Sequence, residues 1–348
     1  MSMTAIRAPL LSLLATAVVG TVLLLVTGHD PVVVGRVLAE RTLLRRSGLE
    51  ESLVSMAPIL IAGLAAWIAA RVGLWNIGID GQAIVGAVAA GAIAPGLGAL
   101  PAPLMWVTVS LVGMASGALW AMLPAVLRAR SGINEIVTTI MMTYVAFSLA
   151  SWLIKGPLKD EALVAPATRS IDVSRRLPDL GDSRVHVGVL VAAGIALLAW
   201  GLARWSVPGI LSRLVGEAPD AASTLHVPVS RYLIAGLMCS GAVAAFVGVL
   251  EVLAVRGSVQ GDWRPSLTLP AFAALFLARR QPAWLIATSL LLGMLAYAST
   301  VAPRATGLAP DFFPMLEGIL LIFLAIGEWY RRGLRADRAR GGASGAGI

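Results

Sequence analysis

"LIAGLAAWIAARVGLWNIGIDGQAIVGAVAAGAIA", residues 60–94, sets two nearly pure hydrocarbon runs on either side of a polar, glycine-spaced break. Runs of this kind belong to membrane helices, which need about 20 apolar residues to cross the hydrocarbon core. The break places Asn76, Asp80 and Gln82 where a continuous span would tolerate none of them cheaply. Asn76, Gly78, Asp80 and Gln82 alternate, and Gly78 and Gly81 permit backbone turns that other residues resist. Two readings fit. In one, Asn76 caps the following helix, with Asp80 and Gln82 in its positively polarised first turn. In the other, a broken segment exposes amides and side chains along a polar passage.

The rest of the chain extends the first impression. Of 348 residues, 58% are hydrophobic and only 13% charged, with a mean hydropathy of +0.84. Such a chain resides in a bilayer. Apolar runs predict helices at 8–27, 52–71, 77–96, 103–127, 134–154, 186–205, 231–255, 268–279, 283–301 and 313–330. The fold class is therefore an all-α membrane protein of about ten helices. The eighth is too short to span alone and carries Pro270 near its start, so it reads as a half-helix or a buried one. The expected organisation is one transmembrane domain over 1–348: a first helix with an interfacial helix in 1–51, a core over 52–330, and a basic tail from 331.

The net charge of +8 comes from dispersed arginines, apart from "RRGLRADRAR" at 331–340, so nucleic acid is not an expected partner. That tail reads as a cytoplasmic flank facing anionic lipid, and an even number of crossings then puts both termini in the cytoplasm. Basic residues divide almost equally between the two sides. Acid separates them better: Asp160, Glu161, Asp172, Asp179 and Asp182 all fall in the longest outer loop, 155–185, which resembles no folded domain. At the N-terminus, Arg7 and the apolar run that follows it compare with a signal peptide, "ATA" at 15–17 standing where cleavage occurs. The run continues to Val26, which favours a retained helix. Segment 31–48 sets Val34, Val37, Leu38 and Leu44 against Arg36, Arg41 and Arg45, the pattern of an amphipathic helix in the membrane interface.

"LIAGL" recurs at 233–237, and "RGSVQGDWRPS" at 256–266 follows the second copy as the break follows the first. If helices two to five repeat as seven to ten, the odd offset inverts the topology. The two interruptions then approach one passage from opposite faces, the arrangement of a transport pathway.

Further along, Asn134 precedes a helix that carries Glu135 in its first turn and Thr138, Thr139 and Thr143 within one broad face. Threonines in such helices line pores, bond back to their own backbone or join helices. Glu251 suits either a passage or the outer interface, and Glu317 suits packing or an interface. His29, His186 and His226 are scattered, without metal-ligand spacing, and the lone Cys239 lies in an apolar run. The cytoplasmic segment 203–232 holds a short amphipathic unit, Gly216 to Ala222, before a second turn near Val227 and Pro228; a loop this long usually meets a partner. The chain contains no phosphate-binding G-x-x-x-x-G-K-[ST], G-x-S-x-G, H-E-x-x-H or C-x-x-C motif. No catalysis and no cofactor are expected of it.

"PILIAGLAAWIAARVGLWNIGIDGQAIVGA" (58–87), "GINEIVTTIMMTYVA" (132–146) and "LVGEAPDAASTLHVPVSRYLIAGLMCSGAVAAFVGVLEV" (214–252) resemble, in order and spacing, the permeases of bacterial ABC importers for nucleosides and simple sugars. The resemblance covers roughly residues 52–330. It implies a permease of two inverted five-helix halves in the bacterial inner membrane, paired with an identical copy or a paralogue. It also implies two cytoplasmic ATPases that hydrolyse the ATP, and an extracytoplasmic binding protein that delivers substrate. The family's ATPase-docking loop matches "VGEAPDAASTLHV", which gives Gly216, Glu217, Ala218, Pro219, Ala221 and Ala222 the coupling role. Asn76, Gly78, Asp80, Gln82, Asn134, Thr138, Thr139, Thr143 and Glu251 are the expected pathway residues. The family usually carries glutamate where Asp80 stands and often asparagine where Thr143 stands, and "LTLPAFAALFLARRQPAW" (267–284) replaces a segment of small residues. The Asn134 to Tyr144 segment is most similar to nucleoside-type permeases, with simple sugars second. An ion-coupled secondary transporter using Asp80 or Glu251 is the rival of a different class.

Overall fold

The computed structural model describes residues 3–279 and 281–344, with side chains for 9–279 and 281–328. The side chains of Arg7, of Arg280 and of the basic tail at 331–340 lie outside the described residues. Nearly everything described is helical, and the only β pairing is two isolated bridges. Each predicted helix is present: α1 Met3–Val26, α3 Arg46–Arg71, α4 Ile79–Ile93, α5 Ala102–Ser131, α6 Glu135–Lys155, α7 Val187–Trp205, α10 Val229–Leu250, α11 Thr268–Leu277, α12 Pro282–Thr306 and α13 Phe312–Ser344. Three further helices lie between them, α2 Pro31–Leu38, α8 Val207–Glu217 and α9 Pro219–Thr224. Among the described residues eight helices are long and apolar enough to cross a membrane, and α11 is not one of them.

By its contacts the chain divides into two compact units, Met1–Leu49 with Leu295–Ile348, and Glu50–Met294. In the first, Leu24, Val34, Ala298, Ala302, Leu308, Phe312 and Phe313 form a small apolar core. Asp30 caps α2, its Oδ1 accepting from the Val32 amide at 2.8 Å, and α2 buries Val34 while Arg36 points out. The amphipathic reading holds for these roughly two turns. Beyond Leu38 the backbone widens into a π-helical stretch, Ala39–Leu44, which buries Thr42 and leaves Leu44 exposed.

The second unit is organised around α10, which packs on α4 and α5. The contacts are built from small residues. A Cβ on Gly241 would meet the Gly117 carbonyl at 2.6 Å, and one on Gly248 would stand 2.7 Å from the Ala87 amide. Lipid supplies no hydrophobic drive between helices, so close backbone approach and the dispersion it gains hold such a bundle. α11 is buried at Thr268 and at all but two of the nine residues after it, as its brevity predicts. The helix over 231–255 is shorter than its apolar run: α10 ends at Leu250 and a π-helical stretch, Glu251–Arg256, follows.

The loop 155–185 is tied down rather than loose. Its Thr168, Ile171 and Leu177 amides donate to the carbonyls of Val259, Gly257 and Leu253 at 3.0, 2.9 and 2.9 Å. Arg175 donates to the Gly98 and Leu100 carbonyls, and its own carbonyl accepts from Trp106 Nε1 at 2.8 Å. The loop thus fastens the segment after α10 to the turn before α5.

Candidate functional site

The break at 72–78 begins where α3 runs out. Gly73 takes φ +80, a left-handed conformation that favours glycine, and turns the chain out of the helix. Trp75 then packs on Phe272 and Phe276 of α11, each ring centroid 5.8 Å away. The Trp75 amide donates to Glu135 Oε1 at 3.3 Å, and Glu135 also pairs with Arg128 at 3.2 Å. Glu135 sits in the first turn of α6, which Asn134 caps by accepting from the Ile136 amide at 2.8 Å. One buried carboxylate therefore joins the break, the end of α5 and the start of α6.

Asn76 is not the N-cap of α4, because the helix starts at Ile79 with Gly78 in that position. Its Oδ1 accepts from the Gly78 amide at 3.0 Å instead, a local turn bond made two residues early. The Asn76 amide group donates to Gln82 Oε1 at 2.7 Å and to Ser240 Oγ at 2.8 Å. Gln82 Nε2 returns a bond to Asn76 Oδ1 at 3.1 Å, and Ser240 Oγ donates to the Ala65 carbonyl at 2.7 Å. Asn76 and Ser240 are 0% exposed and Gln82 2%, so every bond in this set is made out of water. A buried polar network satisfied in this way fixes one geometry. Here it welds the break to α10, one residue beyond the first "LIAGL" and three beyond the second.

Asp80 stands in the first turn of α4, as expected, yet the helix its carboxylate caps is α11. Oδ1 accepts from the amides of Leu267 and Thr268 at 2.7 and 3.2 Å, and Oδ2 accepts from the Thr268 hydroxyl at 2.7 Å. The N-terminus of a half-helix presents unpartnered amides and a positive dipole end, and a carboxylate answers both. Asp80 in the first interruption is thus bonded to the start of α11, immediately after the second interruption and 187 residues further along the chain.

The threonines of α6 bond back to their own helix. Thr138 Oγ1 donates to the Glu135 carbonyl at 3.2 Å, Thr139 to the same carbonyl at 2.7 Å, and Thr143 to the Thr139 carbonyl at 3.1 Å. Thr139 and Thr143 also face α4, where Cβ atoms on Gly78 and Gly81 would stand 3.1 and 2.6 Å from them. Glu251 pairs with Arg256 at 3.0 Å, and Arg256 stacks 4.9 Å over Trp263.

The unit read as Gly216 to Ala222 is divided at Ala218, and the turn expected near Val227 and Pro228 follows it, the chain leaving α9 at Leu225 and re-entering a helix at Val229. Ser206 caps α8 by accepting from the Gly209 amide at 3.1 Å, α8 ends at Glu217, and Pro219 starts α9 beyond Ala218 at φ −147. Proline cannot continue the hydrogen bonding of the preceding helix, so a corner forms there. Gly216 and Glu217 close one helix, while Ala221 and the buried Ala222 belong to the next.

Two contacts lock α8 to the end of α3. The Arg71 guanidinium donates to the Ala203 carbonyl at 2.6 Å, the Gly209 carbonyl at 2.7 Å and Ser212 Oγ at 3.0 Å. Gly216 lies against the Arg71 carbonyl, and a Cβ there would stand 2.8 Å from the Gly73 amide. From Gly73, three residues lead to Asn76. Glu217, by contrast, pairs with Arg213 at 2.9 Å and both side chains stay 65% exposed, an arrangement that contributes little to stability. Arg71, Gly73, Ser240 and Thr268 were not among the residues picked out from sequence. The one signal for Arg71 and Gly73 was their place at the end of an apolar helix.

A model of the family described as branched-chain amino acid transport system / permease component matches residues 48–325. The chain belongs to that family. The permease is 28% identical to the glucose ABC transporter permease protein TsgB13 of Haloferax volcanii, over 95% of this chain and 90% of the relative. It is 28% identical to the guanosine ABC transporter permease protein NupP of Bacillus subtilis, over 79% and 80%. The nucleoside ABC transporter permease protein NupB of Lactococcus lactis is 26% identical, over 91% and 90%. The protein is a multi-pass membrane permease of the ABC transporter class, a translocating component and not itself a catalyst.

Proposed function

We propose that the permease carries a nucleoside or purine-like molecule into a bacterial cell, through the inner membrane, at the interface of two permease subunits. Both termini and the α8–α9 corner face the cytoplasm, where two ATPase subunits hydrolyse ATP, and an extracytoplasmic binding protein delivers substrate. The second permease is an identical copy or a paralogue.

The observation that carries this reading is the rigid link from α8 through Arg71 and Gly73 to the bonded break at Asn76 and Asp80. Closure of the ATPase dimer pushes on residues 214–228, with the exposed Glu217, Pro219 and Ala221 at the contact and Gly216, Ala218 and the buried Ala222 shaping the corner behind them. The push reaches the break without a flexible joint, and the cavity switches its opening from outside to inside. Asn76, Gly78 and Gln82 hold the break in shape, and Asp80 keeps it joined to α11. Asn134, Thr138, Thr139 and Thr143 set the position of α6 beside the passage, and Glu251 lies near its outer end. Only 17% of the α6 span is buried, the same share as for α1, against 67% for α3 and 61% for α10, and α6, which lies beside the break, is the face proposed for a second subunit.

The nucleoside reading rests on the 132–146 segment and on the guanosine and nucleoside permeases among the relatives. A simple sugar is the second reading, favoured by the glucose permease whose alignment spans 95% of this chain. A thermal-shift screen of the cognate binding protein against nucleosides, nucleobases and hexoses decides between them; stabilisation by hexoses alone would overturn the first. The coupling assignment is tested by Glu217→Arg. This reversal of an exposed charge is expected to abolish co-purification of the ATPase while membrane insertion continues. Unchanged assembly would sink the assignment.

A further inference from the structure

A crevice of about 960 Å³ opens between the end of α3, the end of α7, α8 and the turn from α11 into α12. Arg71, Arg204, Arg213 and Arg279 line it, against a single lining carboxylate among the described residues, Glu217, which is committed to Arg213. So much positive charge in one recess calls for an anion. The walls identify what kind. Trp67 lies under Arg71, its ring centre 5.3 Å from the guanidinium carbon, and Trp200 meets Trp205 edge to face at 5.5 Å. Tryptophans of this sort mark the headgroup level of a bilayer. In its lining Trp205 is 72% exposed and Ile210 56%, and next to them along the chain Leu202 is 56% and Val207 68% exposed. A free inorganic anion gains nothing from these side chains, whereas acyl chains lie against them.

We infer that this crevice is a binding site for an anionic phospholipid, its headgroup phosphate held among Arg71, Arg204 and Arg279 and its chains laid over Leu202, Trp205 and Ile210. Basic recesses between membrane helices on the cytoplasmic side take acidic headgroups for the same electrostatic reason. The inference rests on the orientation proposed above, which turns this end of the bundle toward the cytoplasm. A lipid seated here touches α8 and Arg71 together, so occupancy steadies the docking of α8 on α3.

The test uses the full chain, extracted in mild detergent and loaded with phosphatidylglycerol, phosphatidylcholine or inorganic phosphate, with retained lipid counted by native mass spectrometry. Wild type retains phosphatidylglycerol selectively. Arg204→Gln, an exposed position outside the coupling contacts, weakens retention about fivefold, the effect of one juxtamembrane charge. Arg204→Gln combined with Arg279→Gln weakens it roughly 25-fold on the same scale. Equal retention of phosphatidylcholine, unchanged retention by both variants, or displacement by millimolar phosphate would each overturn the inference. So would a result in which Arg204→Gln reduces ATPase co-purification and leaves lipid untouched, which would assign the crevice to a protein contact. The orientation is checked separately by labelling Ser223→Cys from each side of the membrane. Labelling from outside would refute the topology, while the lipid count, made in detergent, would still report on the crevice.

Discussion

Replacing Gly216 by valine is expected to disconnect ATP hydrolysis from transport. A Cβ at this position meets the Arg71 carbonyl and stands 2.8 Å from the Gly73 amide, and both are backbone atoms that cannot swing aside. Overpacking a close contact costs about 2 kcal/mol, enough to lower the ratio of docked to undocked α8 by roughly thirtyfold. The variant should insert into the membrane and still bind its ATPase, because Glu217 and the exposed face of α9 are untouched. Substrate-stimulated ATPase activity of the reconstituted complex is the measurement, and stimulation should fall at least tenfold on this account. Gly194→Ala in α7, where an added Cβ meets nothing within 4 Å, should leave it unchanged.

The second large effect is expected at Asp80. Alanine there removes the acceptor of two amides and one hydroxyl at the start of α11. Bonds to a charged group contribute about 1.5–3 kcal/mol each, and orphaned amides in a mostly buried setting add a desolvation cost, so a loss of about 3 kcal/mol or more is expected. Asp80→Asn keeps one carbonyl acceptor and should lose markedly less. Thermal unfolding of the detergent-solubilised chain orders the three proteins: wild type first, then asparagine, then alanine. If alanine melts with wild type, the bonding of Asp80 is not what holds α11. The order also separates a capping role from ion coupling. A coupling carboxylate loses transport equally in both variants, whereas a cap loses it in proportion to stability.

The sequence readily discloses what hydrophobicity alone decides. Ten apolar runs become ten helices because no water is present to satisfy an unpaired backbone, and among the described residues eight reach the length that bilayer thickness demands. The brevity of 268–279 identified α11 as buried for the same reason. The position of the break was also legible, since a charged side chain beside 11 apolar residues has few explanations. Its bonding was not. Asp80 reads as a cap for its own helix because local sequence presents only local partners, and its true partner lies 187 residues away. Asn76, assigned as a cap, is two residues early, because a glycine at 78 lets the turn form before the helix does. The coupling segment was found by resemblance, but its division at Ala218 follows from Pro219, and its seat on Gly73 depends on two glycines distant in sequence. The threonines of α6 were open to three readings, and their hydroxyls chose the carbonyls of their own helix.

These observations separate two kinds of transporter that composition cannot. An ion-coupled carrier needs a carboxylate free to gain and lose a proton or a cation, yet Asp80 accepts three hydrogen bonds and Glu251 is held by Arg256. An ATP-driven permease needs instead a stiff connection from its ATPase-docking corner to its interrupted helices, and the packing of Arg71 and Gly216 between α3 and α8 fits the corner proposed for that role. Uptake of radiolabelled guanosine into proteoliposomes tests the central claim most directly, comparing the chain alone under imposed proton and sodium gradients with the complete importer supplied with ATP and its binding protein. The account predicts ATP-dependent accumulation by the complete importer and none by the chain alone. Gradient-driven accumulation by the chain without an ATPase would contradict it.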